Sequence, residues 1–510
     1  MTRSKLLEAV AGGDVSRVAA MLHPDTALNP PQGTTPLYRA AVLGHAEIVR
    51  LLLEYGADPD QPSGGAGEGL PLCAAACWDH AETVQALVDG GADPDAAEAG
   101  GWTALLWAAA DGHLASADIL LDAGADPDRA DDDGDTPLAL AAHFGAYGIV
   151  WSLLEHGADP RLPGADGVPP LEIASRWAAA DLEEVLRAEA LAQAGGDRAE
   201  GDRTEGDRTV SGCTVLVTRR PAPDGTRLVT VEARPAGGGG HTVTRQCGHV
   251  AIVTILEMAL GARPRARELL ARVLPYRDLD TGDETWWAAV HALRRRPDDE
   301  TFAEAAGLCD GEDAAEREFG ADVLAEFGRD CEKSPFHERS LRVLRDMARE
   351  EHEPRVIDAV LHALAHHADE RALPEVLAAV ARQGRTPTVA AAVALAAVLP
   401  PGDEDGLAAL VRLSECADDE VRDWATMGIA GLGADTPGIR EALAARLTDR
   451  DLTTVAEAAL GLAGRGDHRA IHGVHRVLCP SSGAPGYARD LAVEAAQELG
   501  LEIGVQITGV

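Results

Sequence analysis

The chain has 510 residues, 46% hydrophobic and 25% charged, with a formal net charge of −39. That length exceeds what one compact core serves and predicts roughly two to four domains. The acidic excess excludes non-specific binding to nucleic acid or anionic membrane, because phosphate affinity rests on Lys and Arg displacing counterions. Residues 1–190 hold 9 basic and 31 acidic side chains, residues 191–300 hold 16 of each, and residues 301–510 hold 20 and 37. The start, MTRSKLLEAVAGGD, lacks the apolar stretch of a secretory signal, and the longest uncharged apolar run, TVAAAVALAAVL, is too short to span a bilayer. Eight scattered cysteines form no disulfide framework, so a cytoplasmic location is expected. Lys occurs only at Lys5 and Lys333, an Arg-for-Lys bias like that of GC-rich bacterial coding.

In chain order, the first feature is a phrase said four times: EYGADPD, DGGADPD, DAGADPD and EHGADP, with glycines at Gly56, Gly91, Gly124 and Gly157 and steps of 35, 33 and 33. Before each lie a turn, a short Ala-rich helix, a break of G-H type and a second helix with paired leucines. The glycine suits the left-handed position that ends a helix, and the proline beyond it stops the helix resuming. A period near 33 predicts stacked helix pairs, none of which buries its apolar face alone.

In period and in the G-x-T-P-L, A-A, G-H and G-A-D elements, residues 4–190 resemble the ankyrin repeat family. SKLLEAVAGGDVSRVAAML is expected as the polar first unit and DGVPPLEIASRWAAADLEEVLR as a degenerate last one. The sequence departs from the family where His usually follows T-P-L, with Tyr38, Cys73, Leu106, Ala139 and Glu172 instead.

Residues 191–212, with G-D-R recurring every five residues, are expected as a flexible linker whose ends stand roughly 25 Å apart. Residues 213–298 are expected as a small mixed module. CTVLVT, RLVTVEA and HTVTR alternate as two or three strands. GHVAIVTILEMALG looks like the second helix of an ankyrin unit without its first half.

From residue 299 to 510 the chain reads as helix after helix. RVIDAVLHALAHH, TVAAAVALAAVLP, VRDWATMGIAGLG, TVAEAALGLAGRG and ARDLAVEAAQELG start 33, 33, 33 and 34 residues apart, each after an amphipathic helix. Small residues at the crossings predict close stacking. This pattern is similar to HEAT repeats, and the D-D-E-V-R-D-W-A corner at 418–425 is similar to the short HEAT-like repeats of phycobilisome lyase relatives. The expected fold class is all-α: two α-solenoids joined by a flexible linker and a small mixed module.

Candidate chemistry is sparse. Cys73, Cys77 and His80 could share a helix face, as could His468, His472, His475 and Cys479, or His362, His366 and His367. A closed metal site wants four ligands, or three and a water. Repeat positions explain the first set, and a solvated or partly packed helix face is the simpler reading of the others. No metal, cofactor or catalytic residue is expected.

The ankyrin resemblance implies partner contacts at turn tips and at the ends of first helices. Those positions hold Leu43, Trp78, Asp111, His143 with Phe144, and Trp177, and at the tips Trp102 and Asp135. Exposed aromatics there would anchor a protein partner, and the acidic surroundings imply one with a basic rim around an apolar segment. The competing reading has these rings packed on neighbouring repeats. Function is expected to be that of a non-catalytic adaptor. The HEAT resemblance leaves open an enzyme or accessory factor related to HEAT-repeat bilin lyases. The neutral middle leaves open an autoinhibited regulator whose parts bind each other.

Overall fold

The computed structural model describes residues 3–24, 26–64, 69–194, 208–210, 213–235, 240–277, 283–328, 334–382 and 386–501. Contacts divide the chain into two compact units, Met1–Pro264 with Ala271–Ala292, and Arg265–Leu270 with Leu293–Val510.

The first unit opens with helix pairs: α1 (Arg3–Ala11) and α2 (Val15–Ala19), α3 (Pro36–Val42) and α4 (Ala46–Glu54), α5 (Pro71–Cys77) and α6 (Ala81–Asp89), α7 (Ala104–Asp111) and α8 (Leu114–Asp122), α9 (Pro137–Phe144) and α10 (Tyr147–Glu155). Thr35, Thr103 and Thr136 start α3, α7 and α9 by accepting the backbone N–H three residues on, and proline occupies the first helical position of α3 and α9. First helices stack on first helices and second on second, burying Leu37, Ala41, Leu105, Ala109, Leu138 and Ala142 in one continuous core.

The repeated phrase is built from backbone geometry. Gly56, Gly91, Gly124 and Gly157 take φ of 89°, 87°, 89° and 91°. The next alanine then turns its N–H back to a leucine carbonyl five residues earlier, at 2.9–3.0 Å in each repeat. The two aspartates join repeats: Asp60, Asp95 and Asp128 accept the N–H of Asp93, Asp126 and Asp159 in the following unit at 3.1, 2.9 and 2.9 Å.

The last repeat is split. Its first helix, α11 (Pro170–Ala178), stacks on α9 as expected, but α12 (Leu182–Gln193) leaves the stack. It covers a four-stranded antiparallel meander of β1 (Arg208–Val210), β2 (Cys213–Pro221), β3 (Arg227–Pro235) and β4 (His241–Gln246), pairing Cys213 with Pro235 and Leu228 with Gln246. Leu186 and Ala190 of α12 pack with Val229, Val231 and Ala233 of β3. The chain then returns through α13 (His249–Ala259), which lies against α11 and α10 in the place of a second helix. The physical reason is apolar content. Eight consecutive α13 residues, His249–Leu256, are buried, whereas α12 buries only Leu186 and Ala190.

Three expectations are corrected. DLEEVLR is not the second helix of the last repeat; GHVAIVTILEMALG is, and its first half is α11. The mixed module does not stand apart, because its sheet and α13 belong to the first unit. A four-stranded sheet also makes the chain more than all-α. The expected linker begins inside α12, which runs to Gln193, and β1 takes up Arg208–Val210; residues 195–207 lie outside the described residues.

The unit boundary passes through α14 (Ala266–Val273) and α15 (Asp283–Arg294). The second unit continues as α16 (Asp299–Cys309), α17 (Ala314–Glu326), α18 (His337–Glu350), α19 (Pro354–His367), α20 (Leu373–Val380), α21 (Val389–Val398), α22 (Glu404–Leu413), α23 (Asp419–Gly431), α24 (Pro437–Arg446), α25 (Leu452–Ala463), α26 (Ala470–Leu478) and α27 (Gly486–Glu498). The helices α17, α19, α21, α23, α25 and α27 form one row, each packed on the next, with the others paired beside them. Small residues set the spacing: a Cβ at Gly428 or Gly461 would lie 2.6 Å from the Cβ of Ala396 or Ala430 on the neighbouring helix. One Arg device recurs. Arg317 and Arg422, each the fourth residue of its helix, bond loop carbonyls just before that helix and an acid of the next unit, Glu351 and Asp449.

Candidate partner-binding surface

The ends of the first helices divide into an open half and a half that the chain's own insert contacts. At the open half, Leu43 and Trp78 follow the last residues of α3 and α5 and are 36% and 63% exposed. Apolar rings are seldom left this bare, since burying one contributes about 2 kcal/mol or more. Asp111, ending α7, is also exposed. Trp102, at the turn before α7, is half-buried and packs on Trp107 with ring centroids 4.4 Å apart. Trp107 in turn donates its indole N–H to Glu98 at 3.2 Å, while the other Glu98 oxygen accepts Leu70 N at 2.7 Å. Asp135 serves the turn itself, accepting the N–H of Ala165 at 2.7 Å.

The C-terminal half is occupied by the chain's own insert. Trp177 stacks on the His249 ring at 5.5 Å and meets His143 edge-on at 5.2 Å, donating its indole N–H to His143 Nδ1 at 3.4 Å. Arg245 of β4 lies over Trp177 and reaches His143 Nε2 at 3.3 Å. Asp224, in the turn between β2 and β3, accepts the N–H of Gly148 at 2.8 Å, capping α10, whose own N-cap residue Ala146 has no side-chain acceptor. Gln246 ties the parts together by donating to Asp224 and Thr226, both at 2.6 Å.

His249 completes a ladder along the stack. His80 and His113 bond the carbonyls of Val42 and Ala76 in the preceding repeats at 3.1 and 2.9 Å, and His249 bonds that of His143 at 3.3 Å. Two of these rings, His80 and His249, need room where the preceding unit turns. A Cβ at Gly44 would lie 2.7 Å from the His80 ring, and one at Gly145 would lie 2.6 Å from that of His249. Burial first, and then the charges of His143 and Arg245, pull His249 down to about 4.

Of the expected site residues, Leu43, Trp78 and Asp111 are displayed. His143 and Trp177 are brought together beside the insert, which contacts both while His143 stays exposed and Trp177 half-buried. Phe144 is corrected: it is 6% exposed and belongs to the core, its ring lying where Gly112 leaves space. Sequence reasoning missed Arg245, Asp224 and Gln246, which lie about a hundred residues from the helix ends they touch; the G-H pair at Gly248–His249 was the available signal.

Among the described residues, no group of three His, Cys, Asp or Glu side chains is placed to hold a metal. Cys73 points its thiol toward the carbonyls of Ala96 and Trp102, and His80 toward that of Val42. The His362 and His366 rings meet at a tilt, centroids 4.3 Å apart, while His367 meets His337 and the Leu324 carbonyl. Cys479 pairs with Ser481.

No helix among the described residues is long and apolar enough to cross a membrane. No curated protein matches the chain. Family models match in two places: ankyrin repeat over residues 32–63, and ankyrin repeats in three copies over residues 72–164. The helices that display Leu43, Trp78 and Asp111 are therefore ankyrin repeats.

Proposed function

We propose that the protein is a non-catalytic, cytoplasmic adaptor that binds a protein partner at the open end of its ankyrin first-helix face. The observation that carries this is Trp78, 63% exposed one repeat from the exposed Leu43. An aromatic and an aliphatic anchor on adjacent repeats suit an apolar segment, and the acidic rim suits basic flanks on it. The paired helices of the second unit, read as a HEAT-like array, supply a second binding scaffold.

A second reading is favoured by the insert. Its Arg245 and His249 sit on Trp177 and His143, residues that the ankyrin resemblance assigns to partners, so the insert acts as an internal ligand that narrows the available face.

The test is affinity capture from the source lysate with the full chain as bait, followed by mass spectrometry, comparing wild type with Leu43→Ala/Trp78→Ala. Loss of a partner by a variant whose thermal unfolding is unchanged is expected. Retention of every partner would return these side chains to the ordinary surface.

A further inference from the structure

In the second unit two histidines are strung between two hydrogen-bond acceptors. His367, the last residue of α19, has Nε2 3.1 Å from the Leu324 carbonyl near the end of α17, and Nδ1 3.2 Å from Nδ1 of His337, the first residue of α18. The other His337 nitrogen, Nε2, lies 3.2 Å from the Asp369 carboxylate. His367 is 1% exposed and the His337 side chain 16%, so the inner contacts are shielded from water. Gly328 makes room for the inner ring, since a Cβ there would stand 2.5 Å from it.

Chemistry fixes the number of hydrogens in this chain of groups. A carbonyl and a carboxylate only accept, and a bond between two ring nitrogens takes one hydrogen. The three contacts therefore need three hydrogens, whichever way either ring is turned, and two neutral imidazoles carry two. The third is a proton that belongs to the pair rather than to one ring. A fourth has no place, because it would set two N–H groups against each other. Burial above all, helped by the charges of His337 and His366, accordingly pulls His367 down to about 4. Asp369 cannot supply the missing hydrogen, since Arg371 bonds it at 2.9 and 2.7 Å and holds its carboxyl far below the usual range. Glu338 takes the other side of Arg371 at 3.2 and 2.8 Å. Two carboxylates and one guanidinium leave one negative charge, which the proton on the pair answers.

The backbone at this corner is held in an unfavourable form. Ala368, between His367 and Asp369, has φ of 47°, in the left-handed region that an L side chain disfavours. The contacts of His367 and Asp369 pin the residues on either side of it. Without the proton, the two Nδ1 lone pairs would face each other at 3.2 Å, or one ring would have to give up Leu324 or Asp369.

We propose that His337 and His367 hold one shared proton at neutral pH and form a pH-sensitive clasp, tying the end of α17 and the start of α18 to the turn after α19, which releases as pH rises. Unfolded histidines lose their protons near 6.5, so above that pH the folded pair holds one proton more than the unfolded chain, and its stabilisation fades as pH rises until the proton leaves. Below 6.5 the unfolded chain takes two protons and the folded pair one, so stabilisation also fades as pH falls toward 4. The clasp is tightest near 6.5.

The test uses the full chain with nitrogen-15-labelled histidine, read by long-range proton–nitrogen correlation, with the two rings assigned from His337→Phe and His367→Phe. At pH 7.5 three of the pair's four ring nitrogens should be protonated, when the exposed His23 and His241 are already neutral. His337→Phe, which keeps a ring but removes its nitrogens, should leave His367 neutral. Amide exchange over residues 362–372, corrected for its intrinsic pH dependence, should lose protection by up to about tenfold per pH unit as the pair gives up its proton, the slope of a single proton. That slope should vanish in His337→Phe. Two or four protonated nitrogens at pH 7.5, or wild-type protection that does not change with rising pH, overturns the proposal. Loss of the three-hydrogen pattern on treatment with EDTA overturns it too, by placing a metal where the proton is assigned.

Discussion

Gly145→Ala isolates the seating of the insert on the ankyrin stack. Gly145 and Gly124 have nearly the same backbone, with φ of 88° and 89°. An L side chain in that left-handed region costs roughly 1–2 kcal/mol. At Gly124 a Cβ meets nothing within 4 Å, so that is the whole effect. At Gly145 it would stand 2.0 Å from the Gln246 carbonyl oxygen and 2.6 Å from the His249 ring, so the end of β4 and the start of α13 must move. Overpacking of that kind adds about 1–3 kcal/mol, giving roughly 2–5 kcal/mol for Gly145→Ala against 1–2 for Gly124→Ala. Amide hydrogen exchange read peptide by peptide measures the difference without assuming one transition for a chain of two units. Exchange over residues 249–256 should accelerate in Gly145→Ala and not in Gly124→Ala, while residues 104–122 stay protected in the first. Equal behaviour of α13 in both variants would refute its placement as the second helix of the split repeat.

Three further outcomes are expected. Asp128→Ala deprives the Asp159 N–H of its acceptor at a part-buried junction, and should weaken the first unit by about 1 kcal/mol in urea unfolding, with faster exchange at the fourth glycine turn. His249 takes up its proton at about 4 in the folded chain and near 6.5 when unfolded, so the stability it supports above pH 6.5 is lost as pH falls from 6.5 toward 4. Thermal unfolding of the first unit should show that slope, and His249→Gln should flatten it. In the second unit Asp449→Ala removes the buried partner 3.0 Å from Arg422, whose side chain is 6% exposed, while Asp419 and two loop carbonyls remain, a loss of about 1.5–3 kcal/mol that calorimetry would detect.

Much of this was legible in the chain itself, because repetition makes local rules audible. The glycines at 33-residue steps, the threonines and prolines that open first helices, and the paired leucines of second helices each act within one turn of helix, and the structure keeps them all. Exposure of Leu43 and Trp78 also followed from repeat position. Phe144 shares such a position yet is core, since whether a ring turns inward depends on Gly112 in the repeat before it. The second helix of the last repeat could be seen as GHVAIVTILEMALG, but not joined to α11, because roughly seventy residues intervene and only tertiary packing tells α13 from α12. The half of the surface that the insert contacts has the same cause: Arg245 and Asp224 meet His143 and Gly148 across 102 and 76 residues. The sequence by itself determined the repeats, their turns and the faces they bury, for these rest on backbone geometry and apolar spacing. Only the tertiary structure decided which helix closes the stack and which aromatics remain bare, because those depend on what the rest of the chain brings alongside.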